Sequence, residues 1–300
     1  MKKLKIPKFR FDFKKFYAEL KYYVLGLYHK FEEDHIWIMS ASIAFNIVIC
    51  IIPITLILFS IIGFYLSGED ISSALDASLN KVVGMTPELK EKISRVVLAG
   101  TGEIANNTTL TAIIGTIGIL WTASGLFSTI RDVLNRIYKT RDDAFYLWGK
   151  LRDIGMVMLI SVVFLLSFSS TFIFSIFKAV DAEFFGNTLL SFGFTANLLS
   201  HGIGLIFTFI MFYLIFKLVP QGFVNQKVAV TSSITATLLS ETIKVVFIMY
   251  LVSFANYQKV YGAYAAIVAV IFWLYYSSLT FVIGAEIGQL YKEKKLIKES

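Results

Sequence analysis

Glu241 and Lys244 lie near the middle of an apolar run, residues 228–254 (VAVTSSITATLLSETIKVVFIMYLVSF), that is long enough to cross a bilayer. A span needs about 20 mainly apolar residues. An ionisable group at its centre costs on the order of 2.5–3.5 kcal/mol to insert, so two of them require a reason. At helical spacing Ser233, Thr237, Ser240, Glu241 and Lys244 share one side, leaving Ile243, Val246, Phe247 and Ile248 to pack elsewhere. Two readings follow. Either the stripe lines a polar cavity or substrate path, or the pair at i and i+3 neutralises itself and fixes helix packing. Both turn the stripe into the bundle, where removing one charge of a buried pair typically costs about 3–5 kcal/mol.

Other side chains are candidates for the same path. Asn46 sits in the middle of the first apolar run, where an amide serves as helix–helix glue or as a ligand contact. Tyr261 opens the last run. Glu286 lies near its far end, where a charge is expected to reach water at little cost. Arg131, Asn135 and Tyr138 share a face of RDVLNRIYKTRDD, and with Arg136 they suit either lipid headgroups or ordinary positive-inside anchoring. Metal chemistry has little to build on: the chain has one cysteine, Cys50, and three histidines, His29, His35 and His201, without HExxH or HxH spacing. There is no glycine-rich phosphate loop either. We therefore expect no cofactor, no metal and no enzyme.

The elements that must carry these residues are helices in a membrane. The 300 residues are 56% hydrophobic and 16% charged, with a mean hydropathy of +0.70, far from the roughly 45–50% apolar and 25% charged of a soluble domain. Long unbroken apolar runs exclude a barrel, whose strands alternate over about ten residues. The expected fold is all-α, a polytopic integral membrane protein with six spans near 36–66, 110–130, 154–177, 198–219, 228–254 and 261–290. Pro53 should bend the first span, where Asn46, Thr55 and Ser60 are the polar side chains open to neighbouring helices. Gly115, Gly118, Ala123, Ser124 and Gly125 in the second, and Gly284 and Gly288 in the sixth, offer smooth faces for close helix contact.

Amphipathic helices complete the picture. Residues 1–35 carry nine Lys and Arg interleaved with aromatics, and Phe13, Phe16, Leu20, Tyr23, Val24 and Leu27 recur at three and four, as in a helix lying on anionic lipid. Between spans one and two, Ile71, Leu75, Leu79 and Val83 step by four, and Thr86-Pro87-Glu88 signals a second helix start. These two helices either cap a cavity or lie on the bundle. The net charge of +7 is distributed by face: the two termini and the loops at 129–153 and 217–227 hold 21 Lys and Arg against 6 in the three opposite loops. Both termini are thus expected in the cytoplasm, and residues 292–300 form a short tail. The expected partners are membrane lipids, anionic at that face, and not nucleic acid; an oligomer is left open.

The segments ASIAFNIVICIIPITLIL, WTASGLFSTIRDVLNRIYKTR and ETIKVVFIMYLVSFANYQKVYGAYAAIVAVIFWLYYSSLTFVIGAEIGQLY, in their order and spacing, resemble the YihY/BrkB family of bacterial inner-membrane proteins over residues 36–291. The last block is the most specific, with Glu241, Lys244 and Tyr250, then Tyr261-Gly262, Trp273-Leu274-Tyr275 and Gly284-Ala285-Glu286. The first span departs from the family by carrying Phe45-Asn46 in place of a tyrosine-rich patch. The resemblance implies a six-helix inner-membrane fold. It implies less about activity: the family long carried a ribonuclease label, against which the missing metal constellation argues, and its members are now regarded more as transporters or envelope factors. The expected function is a transporter or flippase-like protein for an amphipathic or ionic envelope substrate. Its rival is a non-transporting scaffold or envelope-assembly factor. What separates them is whether the stripe is reachable from solvent.

Overall fold

A computed structural model describes residues 13–65, 90–92, 94–95, 98–99, 108–140, 155–156, 159, 193–261 and 263–299. Six long helices are described: α1 (Phe13–Glu33), α2 (Ile36–Tyr65), α3 (Thr108–Tyr138), α4 (Gly193–Leu218), α5 (Gln226–Tyr261) and α6 (Ala263–Glu299). Four of them contain stretches long and apolar enough to cross a membrane: Ile36–Ile57, Leu110–Tyr138, Gln226–Leu251 and Ile267–Ile297. Within α4, Gly204–Leu218 is a shorter apolar stretch. Of the expected third span only positions 155–156 and 159 are described, and the leucine ladder from Ile71 to Val83 with its Thr86-Pro87 start lies outside the described residues. Of the second outer helix only helical positions near Lys90–Lys92 are described, with an exposed Arg95–Glu91 pair at 2.6 Å.

Local chemistry sets the helix ends. Asn225 caps α5, its side-chain Oδ1 accepting the Lys227 N–H at 3.0 Å. At the end of α3 the Thr140 N–H donates to the Asn135 carbonyl at 2.9 Å and the Lys139 N–H to Arg136 at 3.3 Å. That is the Schellman pattern, and it holds Lys139 left-handed at φ 54° without a glycine. His35, also at φ 54°, turns the chain from α1 into α2. The break expected between the spans ending at 254 and starting at 261 does not occur; SFANYQKV contains neither glycine nor proline, and α5 runs on to Tyr261. Likewise the tail beyond Leu290 continues α6 rather than leaving it.

The middle of the packing is α6, which touches α1, α2, α3 and α5, while α2 lies along α3 and α4 along α5. Small residues make both main contacts close. A Cβ on Gly284 would sit 2.7 Å from Ala236 Cβ, and one on Gly288 would overlap the Ser232 hydroxyl. On the other side, Gly115 meets Ile57 and Gly118 meets Pro53 Cβ at 3.1 Å. Without these glycines the helices could not approach, since packing rather than water exclusion drives association in lipid. An aromatic stack, Phe216 on Phe281 at 4.8 Å with Phe212 beside it, fills the space between α4 and α6.

Overpacking costs about 1–3 kcal/mol where neighbours cannot yield. Gly284→Ala and Gly288→Ala should therefore lower the melting temperature in detergent by several degrees. Gly125→Ala, whose Cβ would lie an ordinary 3.7 Å from Asn46 Oδ1, should leave it within about a degree.

Candidate functional site

The stripe on α5 changes character along its length. Ser233 and Thr237 are buried, Ser233 bonding back to the Ala229 carbonyl at 2.6 Å, and Ser240 is half-buried with its hydroxyl on the Thr237 carbonyl at 2.8 Å. Farther along, Lys244 Nζ lies 2.6 Å from Glu241 Oε1, with the side chains 45% and 38% exposed respectively. The pair forms, but it is half-open rather than enclosed. The reason is position: α6 lies against the Val228–Ala236 face of α5, a quarter-turn and more away from the pair. Such a pair is worth a few tenths of a kcal/mol, not the several of a sealed one. Beside the second half of α5 is an apolar groove of about 320 Å³, lined by Ile243, Val246, Phe247, Tyr250, Phe272 and Tyr276.

Asn46 is occupied in helix contact. Its Nδ2 donates to Thr129 Oγ1 on α3 and to the Ser42 carbonyl, both at 3.0 Å. Thr55 and Ser60 bond back to their own helix, at 2.7 Å and 2.8 Å. For Tyr261 only the backbone is described. Arg131 and Asn135 share a face with Tyr138 as expected, yet the face is buried rather than turned to headgroups. Arg131 Nη2 donates to Ser128 at 3.0 Å. Asn135 Oδ1 accepts from Gln221 N–H at 3.0 Å and Thr140 Oγ1 at 2.8 Å, fixing the α4–α5 turn to the end of α3. Tyr138 OH shares a 2.8 Å hydrogen bond with Ser232. Arg136 alone of these headgroup candidates is exposed.

Glu286 is the largest departure from expectation. It has no exposed surface, and neither carboxylate oxygen has a hydrogen-bond partner among the described residues. The expected outlet to water is closed because α6 continues beyond it and α1 folds back across that end. Tyr22 OH reaches the Leu290 carbonyl at 3.5 Å, Gly26 lies against the Leu290 side chain, and Lys294 pairs with Glu19 at 3.0 Å. Lys30, only 7% exposed, lies 3.3 Å from Asp34 and 3.6 Å from Glu293, while Lys139 reaches Glu293 at 3.4 Å. Burial pulls the Lys30 ammonium down, but the Asp34 and Glu293 carboxylates beside it hold it above the ordinary lysine value. Sequence spacing offered a signal for this cluster, Glu286, Gln289 and Glu293 at helical steps, but nothing in it revealed that α1 would cover them.

Residues 27–300 match the family described as Virulence factor BrkB. The chain belongs to the BrkB family. Relatives include the UPF0761 membrane proteins of Psychromonas ingrahamii, 25% identical over 90% of this chain and 88% of that one, and of Aeromonas salmonicida, 26% identical over 87% and 85%. A Chlorobium limicola UPF0761 membrane protein is 28% identical over 85% of this chain but 54% of its own length. No solved structure matches. The BrkB match covers α2 to α6 and the last turns of α1, and so includes Lys30, both stripe charges and Glu286.

Because a lysine held above its ordinary value of 10.5 stabilises the fold fully below that value and loses the contribution as pH rises through the higher one, the Lys30 cluster should weaken only in strong alkali. Lys30→Met should cost about 1–3 kcal/mol at neutral pH, Glu293 keeping Lys139 as partner. Melting curves across the alkaline range should converge for wild type and variant. A gap that widens with pH would contradict the assignment.

Proposed function

We propose that this BrkB-family membrane protein is a transporter or flippase-like carrier for an amphipathic or ionic envelope substrate, with the α5 stripe as its polar path. The observation that carries this reading is the half-open Glu241–Lys244 pair at bilayer depth. Charges there do not face acyl chains without heavy cost, so an accessible pair implies a wet crevice or a polar guest. A scaffold has no use for that opening. The apolar groove lined by Phe247 and Phe272 on another face of the same helices gives an acyl portion somewhere to lie.

The reading places six spans in the bacterial inner membrane with both termini in the cytoplasm. α1 then lies at the inner surface with Tyr17, Leu20, Val24 and Tyr28, an exposed apolar stripe, on anionic lipid. No catalytic step is assigned to the chain. With Cys50 replaced by Ala, impermeant thiol reagents in intact cells should reach a cysteine at Ser78 or Asn187 and miss one at Lys139 or Gln226. Labelling of position 139 from outside would overturn the topology.

Substrate handling is tested separately. Glu241→Gln, Lys244→Met and the double variant should all accumulate near wild-type levels, since a half-open pair contributes little to folding. In proteoliposomes that compare labelled lipids and ions, each should lose at least about tenfold in flux if the charges hold the substrate. A double variant with full flux or full complementation would leave the scaffold reading standing.

A further inference from the structure

Glu286 stands apart from the α5 stripe and is used by neither reading of it. An ionised carboxylate with no exposed surface and no donor forfeits its hydration without return, a loss of several kcal/mol. Neighbouring cations do not make this good. Lys30 is shared between Asp34 and Glu293, Lys139 is paired with Glu293 and Lys294 with Glu19, so these ammonium groups are matched by carboxylates other than Glu286. Among the other elements packed against α6, α2 carries no charged residue, and before Glu241 α5 carries only the exposed Lys227. On α3, Tyr138 is bonded to Ser232 and Arg131 to Ser128.

Gln289 adds an independent observation. Its Nε2 donates to Glu293 Oε1 at 3.1 Å, which turns its Oε1 the other way. That oxygen is also buried without a donor among the described residues. Glu286 is one helical turn before it on the same side of α6. Buried acceptors without a donor thus stand one turn apart on this side of α6, and a proton on Glu286 removes the charge that its burial penalises. Glu286, Gln289 and Glu293 then form a row from the sealed interior to a carboxylate that is 29% exposed.

We infer that Glu286 is a proton-binding site, held as the neutral acid inside the membrane and exchanging its proton with the solvent beside Glu293. Binding forms the O–H bond at a Glu286 carboxylate oxygen; release breaks it, the proton passing to water at the Lys30–Glu293 end. The site does not depend on the α5 path, and would stand if the substrate lay elsewhere.

Dicyclohexylcarbodiimide tests this, because its carbodiimide carbon takes up a protonated carboxyl in apolar surroundings and rearranges to a stable acylurea. Full-length protein in lipid nanodiscs should acquire one adduct, placed on Glu286 by peptide mass spectrometry. The rate should fall about tenfold per pH unit once the site titrates. Glu286→Gln should abolish the adduct, and Glu241→Gln should leave it in place. Should the Glu286→Gln variant fail to fold, mapping on wild type alone locates the site. No adduct at Glu286 at any pH at which the protein stays folded would overturn the proposal. Protection by added sodium at constant pH would also overturn it, replacing the proton with an alkali cation.

Discussion

Helix α6 is packed on two sides, and the rest of the described structure depends on it. Gly284 and Gly288 let it touch α5 along Val228, Ser232 and Ala236. Its opposite side, carrying Val282, Glu286, Gln289 and Leu290, is closed by α1, α2 and α3. In lipid the two contacts differ in what drives them. The glycine side gains close van der Waals packing that lipid tails cannot match, whereas the other side gains hydrogen bonds and ion pairs that lipid cannot offer.

Polar groups concentrate at one end of the bundle. Tyr138 with Ser232, Asn135 with Gln221 and Lys30 with Glu293 each join elements distant in sequence. These groups are satisfied in pairs, so their burial costs little. Glu286 is not, and its neighbours have already spent their charges on one another. A polar cluster with an unmatched carboxylate is a poor way to hold a fold together but a serviceable way to hold a proton.

The polar features divide in kind. Along α5 the polar side goes from sealed at Ser233 to half-open at Glu241 and Lys244. On α6 the charge is closed in and meets only protein.

Much of the fold was legible in the sequence. Hydropathy alone places the apolar runs of α2, α3, α5 and α6, because a bilayer admits only long apolar helices at that depth. The glycines at 115, 118, 284 and 288 announced close contacts, and Arg131, Asn135 and Tyr138 were read onto one face. Helical spacing likewise put Ser233 to Lys244 on one stripe. Spacing states which residues share a face but not what that face meets. Tertiary structure decided that the Arg131–Asn135–Tyr138 face turns inward to the α4–α5 turn, that Asn46 bonds Thr129, and that Glu241 and Lys244 stay half-open. It also decided the fate of Glu286, whose distance from the helix end promised water. Only the fold of α1 back over α6, held by Gly26 at Leu290 and Lys30 at Glu293, removed that water, and such a contact between residues more than 260 apart leaves no mark in local sequence.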